Sequence, residues 1–242
     1  SHQAAVIEMG MNHFDEISRL SQTVLPDIGV ITNVGTAHIE NLGSREGILK
    51  AKCEILHGMK KGSPLIINGD NDMLKTVATA DYTIIKFGLE KNNDVYAENI
   101  IPQQDGSRFD VIYGKEKAKC FVPAVGMHNV YNALCAICVG VQLGYSLEEA
   151  SKGVAAFEPE GMRQKITEIN GMTFIEDCYN ANPDSMCAAL ETLKTLKKER
   201  IIAVLGDMLE LGEYSEKAHS LVGEKSAEVG CDFVFTFGEE SK

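Results

Sequence analysis

Positive charge is scarce in this chain. Lys and Arg number 23 against 35 Asp and Glu, a formal net charge of −12. Such a balance excludes wrapping nucleic acid or lying on an anionic membrane. Small anionic ligands remain possible only where local dipoles or cations override the global field. No stretch approaches the roughly 20 apolar residues of a membrane span, and no signal peptide precedes the first structured segment. Disulfide-like spacings are also lacking: the seven cysteines are odd in number and scattered, which suits a reducing cytoplasm. Cys135 and Cys138 form a C-x-x-C inside an apolar helical run with no second pair nearby, so they read as core packing rather than metal or redox chemistry. Repeats and low-complexity tracts are absent.

What is present is ordinary for a globular protein: 44% hydrophobic and 24% charged residues over 242 positions, enough for one large domain or two smaller ones. Strand and helix patterns alternate. Strand-like runs fall at 4–8, 27–34, 64–68 and 82–87, with helical patterns at 15–24, 44–59 and 70–80. This predicts an α/β fold on a mainly parallel sheet. From 94 to 122 the period changes to two around Gln104-Asp105-Gly106 and Gly114-Lys115, a small antiparallel meander. A helix over 130–143 ends at Gly144, and Ser146-Leu147-Glu148-Glu149 opens another as a capping box.

The polar breaker Glu158-Pro159-Glu160-Gly161 marks a boundary between a first domain, 1–160, and a second, 161–242. After it, Asn170-Gly171 joins two strands as a hairpin, and Asn182-Pro183 caps a helix reaching about 196. A strand at 201–205, a helix at 215–229 and a strand at 232–237 complete what reads as the opening half of a Rossmann-like domain, cut short. The first domain opens on a strand with no preceding turn, so upstream sequence is expected to be missing.

The chain is organised around residues 31–55. A strand breaks at Asn33-Val34-Gly35 into a loop holding His38, and the helix from Ser44 places Ile48, Ala51, Lys52 and Ile55 on one face. An ammonium in an apolar stripe is costly unless paired, neutralised or modified, although a lysine at the stripe's edge can snorkel. Glu8 and His38, at strand ends, could bind a hard divalent cation with phosphate and water completing its shell. A neutral Lys52 amine could react with carbon dioxide, and the carbamate would supply oxygen ligands. Each residue alone also has a plain structural role open to it.

His128, Asn129 and Asn132 lie at a helix start; the two amides share a face and either cap the helix or read a planar base. Asp177, before the Tyr179-Asn180-Ala181-Asn182-Pro183 turn, stands where a carboxylate could bond ribose hydroxyls. Arg163, in the linker, is either a surface arginine or a phosphate contact between domains.

Together these stretches resemble the Mur ligase family over nearly the whole chain. The resemblance is carried by Glu8-Met9-Gly10-Met11, Ile31-Thr32-Asn33-Val34-Gly35-Thr36-Ala37-His38, Ala51-Lys52-Cys53-Glu54-Ile55 and His128-Asn129-Val130-Tyr131-Asn132. The Tyr179-to-Pro183 turn and the run Gly206-Asp207-Met208-Leu209-Glu210-Leu211-Gly212-Glu213 look specific to the D-Ala-D-Ala-adding branch. The resemblance implies an ATP-dependent peptide ligase of cell-wall precursor synthesis, acting through an acyl phosphate. Its substrates would be UDP-MurNAc-tripeptide and D-Ala-D-Ala. It would be cytoplasmic and monomeric, with no nucleic acid partner.

By the same match Glu8 and His38 are ligands of two Mg2+ ions, and Lys52 is carried as a carbamate. Asn129 and Asn132 face adenine, Asp177 the ribose and Arg163 the phosphates, with His128 and Asn180 in the same nucleotide site. The family's G-x-x-G-K-[ST] loop and its amino-terminal domain have no counterpart in this chain, so little activity is expected of it alone. Three other readings compete: a metal hydrolase, a non-catalytic nucleotide-binding module, and a related ligase such as a folylpolyglutamate synthase.

Overall fold

A computed structural model describes residues 2–158, 165–196 and 198–242. Its centre is one six-stranded sheet in sequential order. Strands β1 (Gly29–Ile31), β2 (Pro64–Asn68), β3 (Thr83–Gly88) and β4 (Val95–Gln103) run parallel; β5 (Gly106–Tyr113) and β6 (Glu116–Val122) add antiparallel. The meander thus continues the parallel sheet.

Strand β2 shows why the sheet holds. Its alternate residues serve two cores, Ile66 on one face and Leu65 with Ile67 on the other, all fully buried. Helix α4 (Met127–Gln142) covers the first face with Val130, Leu134 and Ile137, and α5 (Leu147–Ala155), opened by the Ser146–Glu149 capping box, packs beside it. Cys135 and Cys138 belong to this core; burial pushes the Cys135 thiol up to about 12. The other face is covered by α3 (Arg45–Cys53), through Ile48 and Ala51, and by Leu74.

Between β1 and α3 lies the single turn α2 (Ile39–Leu42), while α1 (Glu16–Val24) precedes β1. After residue 164, β7 (Lys165–Ile169) and β8 (Met172–Glu176) form the expected hairpin, with Asn170 and Gly171 both at positive φ. Helix α6 (Pro183–Thr195) starts at an Asn182 cap, and β9 (Ile202–Gly206) pairs in parallel with β10 (Phe233–Phe237) across α7 (Ser215–Val229). Leu190, Ala203, Met208 and Val222 form a third, smaller core there.

Four expectations need correction. Residues 4–8 are not a strand: their backbone joins no ladder, and Val6 is 91% exposed. The strand expected over 27–34 is three residues long, because its exit is diverted into a loop held by side chains. The helix expected over 44–59 ends at Cys53 and tightens into a 3-10 turn, Glu54–Gly58. There the buried Glu54 carboxylate accepts the Asp15 and Ser18 N–H groups at the start of α1 (2.8 and 3.2 Å), and Gly58 N–H donates to the Ser21 hydroxyl. The helix expected over 70–80 shrinks to one 3-10 turn, Leu74–Thr76. Asn71 Oδ1 takes the Met73 and Leu74 N–H groups, and Asp70 is committed elsewhere, so local polar bonds outcompete the helix.

Candidate active site

A cleft of about 930 Å³ opens where the carboxyl end of β1, the starts of α4 and α6 and the hairpin strand β7 converge. Its floor is the loop after β1. Asn71 Nδ2 donates to Asn33 Oδ1 (2.7 Å) and to the Val34 carbonyl (3.2 Å), and Arg45 donates to the same carbonyl (2.8 Å). Arg45 also grips Asp72 through two bonds of 2.7 and 2.5 Å. That fork holds the Asp72 carboxyl below its usual range and raises the guanidinium. The pair is largely solvated, so its main effect is to fix where the loop points.

Lys52 projects from α3 into this cleft beside Ile48. Burial lowers its pKa, and among the described residues its ammonium has no hydrogen-bond or ion-pair partner. A desolvated amine without a counter-charge holds more of its neutral, nucleophilic form than a surface lysine does. Across the cleft, His128, Asn129 and Asn132 line the start of α4. Asn129 Nδ2 donates to the Val125 carbonyl (2.8 Å), and Asn132 Nδ2 donates weakly to Asn129 Oδ1 (3.4 Å). The half-buried Asp177, after β8, completes the opposite wall with Asn182, Asp184 and Ser185.

Lys52, His128, Asn129, Asn132 and Asp177 therefore share one cleft. Glu8, His38 and Asn180 are not among its lining residues. Glu8 lies on the exposed segment at the amino end, and Asn180 turns its amide oxygen onto the Ala181 N–H (2.9 Å). His38, in left-handed backbone (φ 62°), gives its Nδ1 to Glu210 Oε2 at 2.5 Å. Arg163 lies outside the described residues. Among the described residues no group of three His, Cys, Asp or Glu is poised to hold a metal ion.

Several residues at the site escape sequence reasoning. Arg45, Asn71 and Asp72 set the loop, and Asp184 meets it from the second segment: a β-carbon on Gly35 would collide with the Asp184 carboxylate. Glu210 reaches His38 across 172 residues of sequence, a pairing that no local spacing encodes. Glu210 stands in the 206–213 run that carries the family resemblance, but nothing in that run marks it as the partner of His38.

A two-segment α/β protein with a cleft between a parallel sheet and a capped helix of the following segment is the class these observations define. The chain belongs to the Mur ligase family: the Mur ligase middle domain matches residues 1–140, and the Mur ligase glutamate ligase domain matches residues 162–242. Among curated relatives, the UDP-N-acetylmuramoyl-tripeptide–D-alanyl-D-alanine ligase of Bacillus subtilis is 38% identical over 98% of this chain and 51% of its own length. The ligase of the same name from Escherichia coli is 33% identical over 98% and 53%. The chain thus spans about half the length of the curated relatives it matches. Among solved structures, a crystal structure of MurF from Acinetobacter baumannii superposes with a TM-score of 0.89 at 33% identity, covering 99% of this chain and 52% of that one. The Thermotoga maritima MurF ligase, solved in complex with ADP, gives 0.86 at 24% identity, over 96% and 54%, a likeness of fold.

Proposed function

We propose that this chain is the part of an ATP-dependent ligase that joins D-Ala-D-Ala to UDP-MurNAc-tripeptide through an acyl phosphate. The substrates are those in the names of its relatives. The observation that carries the reading is the desolvated Lys52, without a partner among the described residues, lining one cleft between two segments with an asparagine pair and Asp177. ATP suits this cleft. The amides of Asn129 and Asn132 lie at a rigid helix start where a flat purine edge can be bonded, and the Asp177 carboxylate can accept from ribose hydroxyls. The family match would add His128, Asn180 and Arg163 to the nucleotide side, and of these His128 lines the cleft.

Glu8 and His38 together supply one carboxylate and one imidazole nitrogen, Nε2, since Nδ1 is engaged by Glu210. In this structure neither lines the Lys52 cleft, so Mg2+ ions held by them with phosphate oxygens, water and a carbamate on Lys52 would require these residues to be brought together. Bound, the ions would neutralise phosphate charge as reactants approach. The chain's own contribution is positional. Arg45 and Asn71 hold the loop, and the two segments exclude water from a hydrolysable intermediate. The seven cysteines are all free, in keeping with a cytoplasmic protein, and we take it to act as a monomer.

Calorimetric titration with ADP tests this reading. Binding weakened about tenfold or more by Asn132→Ala or Asp177→Ala is expected, a loss of roughly 1.4 kcal/mol. Absence of ADP binding, or binding indifferent to both substitutions, overturns it.

A further inference from the structure

The loop after β9 is what reaches the first segment, and its anchor is a histidine that the cleft does not use. His219, on α7, accepts the Met208 N–H at Nε2 (3.0 Å). Its Nδ1 meets the Ser215 carbonyl (2.8 Å), with the Ser215 hydroxyl at 3.3 Å. A backbone N–H donates only to a nitrogen without a proton, and a carbonyl only accepts. These two bonds assign a neutral ring with its proton on Nδ1.

The ionisable groups around the ring have other partners or face solvent. Asp207 accepts the Glu239 and Ser241 N–H groups (3.0 and 2.8 Å). Glu240 reaches the ring only through the Ser215 hydroxyl (2.7 Å). Lys225 pairs with Glu191 of α6 and with Glu228. Asp184, Glu213, Tyr214, Glu216, Lys217 and Glu224 stand at exposed positions. Among the described residues no carboxylate pairs with either ring nitrogen, so an imidazolium here has no counter-charge.

Met208 is buried in the third core, where a donor left without an acceptor is costly. Two residues on, the backbone turns left-handed at Glu210 (φ 60°). The Glu210 carboxylate meets His38 Nδ1, and its carbonyl accepts the Glu40 N–H (3.4 Å). Gly212, also at positive φ, lies against Glu40: a β-carbon there would come within 3.1 Å of the Glu40 Cγ. A strained turn of this kind persists only while its surroundings hold it.

We infer that His219 is the positioning residue of this contact between the two segments, and that the contact is made only while its ring is neutral. A proton on Nε2 turns an acceptor into a donor facing the Met208 N–H. That bond is then lost, residues 208–212 draw back, and Glu210 leaves His38 and Glu40. Histidine changes charge between about pH 5 and 8, so mild acid opens the contact. The inference concerns how the segments are held and stands whether or not the cleft binds ATP.

NMR of the 242-residue chain tests it in two arms. From pH 8 to 5.5 the Met208 amide should shift with the same midpoint as the His219 ring nitrogens. In His219→Gln, whose amide oxygen accepts at the Nε2 position without titrating, Met208 should keep its pH 8 position. In the second arm, at pH 8, His219→Phe keeps a ring and removes the acceptor. It should speed exchange of the Met208 and Glu40 amides about tenfold, the effect of one lost hydrogen bond, while His219→Gln stays near the parent chain. With the pH fixed, titration of His38 contributes nothing to that difference. Should the Phe variant fail to fold, the pH arm decides. The inference is overturned by a ring that titrates without moving Met208, or by one that stays neutral down to pH 5.5. A Met208 response retained in His219→Gln, or equal Glu40 exchange in the Phe and Gln variants, overturns it as well.

Discussion

The six-stranded sheet and the β9–β10 pair are built from similar residues but meet different surroundings. In the first, Leu65, Ile66 and Ile67 are fully buried because helices or loops cover both faces. In the second, Val204, Phe235 and Phe237 stand open to solvent, and the core lies wholly on the side of α6 and α7. The difference teaches that stability and movement are divided between segments. Burial holds the first together, whereas the second meets it through a few polar and close contacts, among them His38–Glu210, Asp184 over Gly35, and Thr192 near Gly126. That is the arrangement wanted of a cleft that opens and closes.

The largest test of the contrast sets one residue from each region side by side. Leu134→Ala, beneath the sheet, should cost about 2–5 kcal/mol in denaturant unfolding, while Val204→Thr on the open face should fall within about 0.5 kcal/mol. Equal effects would erase the distinction. Next is Asp70, whose carboxylate gathers the Leu89 N–H (2.5 Å), Asn93 Nδ2 (2.7 Å) and the Tyr131 hydroxyl (2.9 Å) behind the sheet's carboxyl ends. Asp70→Ala strands those donors and should cost about 2–3 kcal/mol, read as a fall in Tm. It should also loosen the start of α4, and with it the asparagine pair.

Lys52→Met moves stability the other way, by about 1 kcal/mol, since it removes a desolvated ammonium with no counter-charge among the described residues. The sign with pH follows. The folded pKa lies below the ordinary 10.5, so charging Lys52 opposes folding fully at neutral pH, and the penalty is relieved as pH rises through the lowered pKa toward 10.5. The gap between the variant and the parent chain should therefore narrow only in the alkaline range. A gap that widened there would contradict the burial argument. The smallest effect is expected at the bridge. Glu210→Ala should change global stability by under about 1 kcal/mol, because both partners are partly solvated. It should nonetheless speed amide exchange at 208–214 while leaving β2 untouched.

Local chemistry made much of this fold legible. Asn170-Gly171, the Ser146–Glu149 box and the Asn182-Pro183 cap each fix backbone within a few residues, and each element forms where those signals stand. The misread pieces were decided by distant partners. Glu54 is drawn to α1 across 39 residues, Asn71 is taken up by its own backbone and by Asn33, and residues 4–8 show a strand pattern without a strand beside them. In the site, Lys52 was conspicuous as a cation in an apolar stripe, whereas Arg45, Asp184 and Glu210 matter through contacts that only folding creates.

Hydrogen–deuterium exchange of the chain with and without ADP tests the shared cleft most directly. Protection should appear together at 126–132, where α4 begins, and at 177–185, where α6 begins. Protection confined to one of these stretches, or found at neither, would contradict a nucleotide held between the two segments.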